Sequence, residues 1–123
     1  MSHALLVVSH GSRRAESNDE VSLLAEKLEK HLNGSFDVVH AAFLELAEPS
    51  IPEGIKTCIA HGARRITVMP YFLAAGRHVA EDIPSIVAEA RANHPDVEIT
   101  ITCHLGGSDF MPEFLATTAI NSL

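Results

Sequence analysis

The sequence holds only two cysteines, Cys58 and Cys103, and they form no C-x-x-C pair. A disulfide framework is excluded, and the expectation is two reduced, buried thiols. Basic residues are also scarce: nine Lys and Arg stand against 16 Asp and Glu, for a net charge of −7. That balance gives no footprint for a nucleic acid. No stretch approaches the roughly 20 apolar residues a membrane span needs. The apolar start, Ala4 to Val8, is too short for a secretory core and follows no basic segment. There is no linker, internal repeat or low-complexity tract. These absences predict a soluble, cytoplasmic chain whose partners include neither nucleic acid nor membrane.

What is present is a globular composition. Hydrophobic residues make up 46% of 123 residues, enough for one domain with a modest core. The pattern alternates strand and helix. Ala4–Val8 is a buried strand that ends at Ser9-His10-Gly11. Val21, Leu24, Leu28 and Leu32 recur at helical spacing until Asn33-Gly34 stops them. Phe36 to Phe43 is a second strand. Ser50 and Glu53 form a capping box, with Ile51, Ile55 and Ile59 on the inner face. Arg65 to Met69 is a third strand. Ile83, Ile86 and Ala90 stripe the next helix, whose N-terminus favours the acids Glu81 and Asp82. Val97 to Thr102 is a fourth strand, and Ser108 and Asp109 open a last helix bearing Phe110, Phe114 and Leu115. The prediction is a single three-layer α/β domain spanning residues 1–123, with a four-stranded, mostly parallel sheet.

In such sheets ligands bind beyond the carboxyl ends of the strands. Those ends carry His10, Glu45, His78 and His104. Imidazole and carboxylate suit borderline divalent metals. A lone histidine after a strand is more often structural, but two independent loops bring His10 and His78 to one edge. Glu45 and Glu48 could equally cap the next helix. His104 follows Cys103, and adjacent residues of a continuing strand point to opposite faces. His3, His31, His61 and His94 sit at a terminus or at helix ends and receive no role. His40 lies inside the second strand, facing either the interior or a partner chain. The loop Pro70–His78 is long for a strand-to-helix connection. Its apolar Phe72 and Leu73 and small Ala74, Ala75 and Gly76 suit a flat, partly hydrophobic ligand.

Three stretches together resemble the CbiX family of sirohydrochlorin chelatases: Val7-Val8-Ser9-His10-Gly11-Ser12-Arg13, Phe43-Leu44-Glu45-Leu46-Ala47-Glu48-Pro49-Ser50, and Met69-Pro70-Tyr71-Phe72-Leu73-Ala74-Ala75-Gly76-Arg77-His78 with Asp82-Ile83-Pro84. The resemblance implies an ATP-independent class II chelatase of the small form, like half of a two-domain enzyme and working as a homodimer. It implies cobalt as the metal substrate, with nickel or iron in relatives, no prosthetic group, and sirohydrochlorin as the tetrapyrrole. The family's metal-binding histidines fall on His10 and His78, and its general base on His10. Its tetrapyrrole-contacting stretch falls on Leu73, Ala74, Ala75, Gly76, Arg77 and His78, with Glu45 and Leu46 opposite. The sequence departs from the family pattern at Ser9, where glycine is common, and at Ala74-Ala75, where some members carry a polar residue.

The chemistry of insertion needs such residues. A divalent ion must lose water, and the macrocycle must lose two pyrrole protons. Neutral imidazole ligates metal, and as a side-chain type it titrates near neutral pH. Two protein ligands leave positions open for an ion that must be passed on, where a four-ligand cage would retain it. Glu45 can accept a proton or deliver metal. The substrate is a polycarboxylate and the chain is acidic, so local donors must hold it; Arg13, Arg14 and Arg77 flank the histidines. Two competing readings use the same residues. A carrier would bind metal or tetrapyrrole without turnover. A histidine phosphatase would use His10 as nucleophile, but the R-H-G clamp is absent because Ser9 precedes His10.

Overall fold

A computed structural model describes residues 2–123. Its elements run β1 (Ser2–Ser9), α1 (Ala15–His31), β2 (Val38–Phe43), α2 (Ile51–Ala60), β3 (Ala63–Pro70), a π-helical turn (His78–Asp82), α3 (Ile83–Asn93), β4 (Glu98–Ile101), a 3-10 turn (Leu105–Gly107) and α4 (Met111–Ile120). The predicted alternation holds, and the sheet is wholly parallel in the order β2-β1-β3-β4. Among the described residues no helix is long and apolar enough to cross a membrane.

β1 lies inside the sheet, and its near-continuous apolar run is what a strand covered on both faces requires. Alternate side chains feed two cores. Ala4, Leu6 and Val8 pack with Ala42, Ile51, Ile55, Cys58, Ile66 and Val68, under α2 and α3. Leu5 and Val7 pack with Val39 and Ala25, under α1. Within α1 the inward position belongs to Ala25, flanked by Val21, Leu28 and Leu32; Leu24 instead turns outward beside Leu23. A small residue there lets the helix lie close to the strands, which the spacing of leucines alone did not reveal. The capping box is complete: Glu53 N–H donates to Ser50 Oγ and Ser50 N–H to Glu53 Oε1.

Three further expectations are corrected. Only Cys58 is buried, whereas Cys103 is exposed; burial pushes the Cys58 thiol up to about 11, which keeps it protonated. The helical segment before α3 begins at His78 rather than at Glu81, because the π turn runs directly into α3. The last helix starts at Met111, with Pro112 in its first turn, and Ser108 lies outside it. This α4 joins neither core and has no buried residue.

α2 packs against the sheet through Gly54. A Cβ there would stand 3.0 Å from Ala42 Cβ and 3.1 Å from Leu6 Cδ1, both in the main core. Gly54→Val should therefore overpack this contact and lower stability by about 1–3 kcal/mol in urea denaturation; an unchanged midpoint would refute the close packing.

Candidate functional site

Backbone pairing continues beyond the strands and draws their loops together. Ser9 pairs with Phe43 and Val8 with Pro70, so three strands finish nearly level. Leu44 N–H then donates to Ser9 C=O (2.9 Å), Glu45 N–H to His10 C=O (3.0 Å) and Tyr71 N–H to Val8 C=O (2.7 Å). Each bond fixes where the next side chain leaves the sheet edge.

Gly11 is a tight point of the loop after β1. Its φ is +93°, and a Cβ would lie 1.8 Å from the Glu45 carbonyl oxygen. Only glycine permits both the left-handed backbone and this approach. Beyond it, Ser12 N–H donates to Asn18 Oδ1 (3.0 Å) and Asn18 Nδ2 to Ser12 C=O (2.8 Å), pinning the loop to the first turns of α1. Opposite, Leu46 takes a φ of +64° and is exposed.

The two expected histidines meet. Their ring centres stand 4.7 Å apart with planes inclined at 48°. A ring centre lies roughly 3.2 Å from a metal held by one of its nitrogens, so this spacing fits adjacent positions around one ion. Glu45 Oε1 is 3.8 Å from His10 Nε2, near enough for charge interaction and too far for a direct hydrogen bond. Side chains of His10 and His78 are 44% and 42% exposed, so the pair faces solvent. Among the described residues no group of three or more His, Cys, Asp or Glu side chains is placed to hold a metal. The arrangement is therefore a pair of nitrogen donors with room for other ligands.

Asp82 was read from sequence only as an acid near a helix start. Its Oδ2 lies 2.7 Å from His78 Nδ1. A carboxylate accepts, so in this pair Nδ1 is the donor, and a neutral ring so held presents its Nε2 lone pair. The signal was present, since His78 and Asp82 are four apart on one helical face. Leu73 is 72% exposed, and Ala74, Ala75, Gly76 and Arg77 are exposed beside it. Arg13 is also exposed, while Arg77 Nε lies 3.6 Å from Glu81 Oε2 in a solvated pair of little strength. A hollow of about 260 Å³ adjoins His10, walled by Ser12, Asn18, Val21, Tyr71 and Phe72. His104 joins no group of three or more such side chains, and its ring lies against Gly107.

The fold is that of a three-layer α/β protein with an open histidine pair at the carboxyl edge of its parallel sheet. The CbiX family model matches residues 4–121, and the chain belongs to that family. It is 42% identical over 104 residues to the chloroplastic sirohydrochlorin ferrochelatase of Arabidopsis thaliana, covering 83% of this chain and 44% of that one. It is 41% identical over 91 residues to the sirohydrochlorin cobaltochelatase of Methanocaldococcus jannaschii, covering 74% and 62%. The crystal structure of Bacillus subtilis subspecies spizizenii SirB in complex with cobalt superposes with a TM-score of 0.85 at 30% identity, over 98% of this chain and 51% of SirB. The chain thus spans from under half to under two thirds of the length of these relatives.

Gly11→Ala should place a methyl against the Glu45 carbonyl in a disfavoured backbone region. We expect about 1–3 kcal/mol of lost stability by urea denaturation. Wild-type stability in this variant would contradict the Gly11–Glu45 contact.

Proposed function

We propose that this chain inserts a divalent metal, Co²⁺ in the first place, into sirohydrochlorin without ATP. The single observation that carries the reading is the facing of His10 and His78 from separate loops, 4.7 Å between ring centres. Family membership and relatives named as cobalto- and ferrochelatases support it over a phosphatase. The metal enters as substrate, held by two neutral imidazoles while water or the macrocycle occupies its other positions. Asp82 holds the His78 ring with Nε2 toward the ion, as a carboxylate behind a metal-bound histidine does. The macrocycle lies along Leu73 to Gly76, with Leu46 opposite, and Arg13 and Arg77 meet its carboxylates. His10 accepts the two pyrrole protons in turn as the metal leaves it and passes each to solvent, while Glu45, at 3.8 Å, stabilises the imidazolium formed each time. No prosthetic group takes part. We place the reaction in the cytoplasm, where Cys58 and Cys103 remain thiols.

The test is anaerobic absorbance with sirohydrochlorin and Co²⁺, Ni²⁺ or Fe²⁺. Wild type should exceed the uncatalysed rate, most of all with Co²⁺, and His10→Ala and His78→Ala should fall to it. Asp82→Asn should weaken Co²⁺ binding about 10–100-fold. Tight binding of metal or tetrapyrrole without acceleration would identify a carrier instead.

The chain acts as a homodimer in this reading. α4 has one charged residue, Glu113, and no buried one; Phe110, Phe114, Leu115 and Ile120 are 55–77% exposed. Apolar side chains this exposed on one helix call for a protein cover. A second copy supplies it, and supplies the length that relatives of twice the size carry in one chain. It would also cover a macrocycle that the open pair leaves exposed. Sedimentation should give a dimer for wild type and a monomer for Phe114→Glu with unchanged circular dichroism. A monomeric wild type at assay concentration would overturn this.

A further inference from the structure

The loop after β4 carries chemistry-bearing residues, yet none of its side chains reaches the histidine pair. Its backbone does reach the neighbouring loop. Gly106 N–H donates to Phe72 C=O at 3.1 Å. A Cβ built on Gly106 would stand 1.6 Å from the Leu73 carbonyl oxygen and 2.5 Å from the carbonyl carbon. No side chain, however small, fits there. The reason is proximity alone: Gly106 does not occupy the left-handed region, so its dihedrals suit any residue.

The obstacle is main chain, which no rotamer change can clear. The support is also firm. The 3-10 turn Leu105–Gly107 is closed by Gly107 N–H to His104 C=O (3.0 Å) and Ser108 N–H to Leu105 C=O (3.0 Å). On the other side, Phe72 is packed against the main core, but Leu73 to Arg77 are exposed and have no apolar packing of their own. Leu105 to Gly107 join neither core either, but that turn is braced by its own hydrogen bonds. The 73–77 segment has no backbone hydrogen bond within it, so it is the one that yields. His78 is held separately, by Asp82 and by the start of α3, which is anchored in the core through Ile83 and Val87.

We propose that Gly106 is a positioning residue. Its bare α-carbon sets the height of the Leu73–Gly76 wall above the sheet edge, and so the fit of the tetrapyrrole, without setting the histidine pair. This rests on the reading of that wall as the macrocycle's contact. A larger residue at 106 lifts the wall while the metal-facing nitrogens stay in place. Ground-state binding of the macrocycle and metal binding are thereby separable within one small site.

Gly107 supplies an internal control. A Cβ there meets only the His104 ring, at 2.8 Å from Cε1, and that ring can turn away. Gly106→Ala and Gly107→Ala are compared with wild type for KM and kcat in Co²⁺ insertion, for sirohydrochlorin binding by absorbance titration, and for Co²⁺ binding alone. Gly106→Ala should raise KM and the sirohydrochlorin Kd about tenfold, a modest loss for a contact moved by about 1 Å. Its kcat at saturation and its Co²⁺ affinity should stay within twofold (about 0.4 kcal/mol) of wild type. Gly107→Ala should match wild type throughout. An unchanged KM for Gly106→Ala overturns the proposal, as does a fall in kcat or Co²⁺ affinity as large as the rise in KM, which would mean general damage. A wild-type protein that binds no sirohydrochlorin overturns the functional reading itself, and is told apart because no variant is needed to see it.

Discussion

The site depends on β1 being paired on both sides up to its last residues. Its carbonyls at Val8, Ser9 and His10 accept from Tyr71, Leu44 and Glu45, so the loops after β3 and β2 leave the sheet beside the loop after β1. Parallel pairing has no short return, and each strand must be followed by a crossover. All four strands therefore end at the same edge, and whatever they carry is gathered there. Two histidines 68 residues apart in the chain become neighbours because three strands finish level. The cores beneath hold that edge still: Leu6 and Val8 anchor one face of β1, Leu5 and Val7 the other.

Much of this was legible in the sequence, and the parts that were not share a cause. Apolar runs and helical spacing located every strand and every main helix, because burial on one or two faces leaves a period in the residues. His10 and His78 stood out because chemistry-bearing residues at strand ends are few. What escaped were contacts made by absence or by backbone. Ala25 displaces Leu24 as the inward residue of α1, and a periodic count cannot tell a leucine that packs from one that does not. Gly11 and Gly106 look like ordinary loop glycines until the carbonyl each one faces is known. α4 was legible as an apolar helix, but the sequence does not record that neither core of the domain covers it. Asp82 was visible as an acid and invisible as the partner of His78, because a π turn starts the helical phase earlier than the acids suggested.

The openness of the site suits the proposed task. A metal meant to stay is enclosed by four ligands, and its binding energy contributes to folding. A metal meant to be handed over must be released as easily as it is taken. In the proposed reaction two imidazoles, one steadied by Asp82 and one with a carboxylate nearby, replace some of the ion's water. They leave its remaining positions for pyrrole nitrogens. In the proposed reaction the carboxylate at 3.8 Å from His10 helps most when the imidazole is charged, after proton uptake rather than before it.

Charge then explains why the wall must be well placed. The protein carries −7 overall and its proposed substrate is a polycarboxylate, so the long-range field repels what the site must bind. Arg77 is solvated and shared with Glu81, and such pairs contribute little in water. In the proposed reading affinity has to come from contact: a flat ring against Leu73 and the small residues after it, and further burial under the proposed second copy. Contact energy falls off within a fraction of an ångström, whereas charge attraction does not. A site that relies on contact cannot tolerate a drifting wall. Backbone-to-backbone support at Gly106 removes the side-chain freedom that would let it drift, and supplies the placement that an acidic protein cannot obtain from its field.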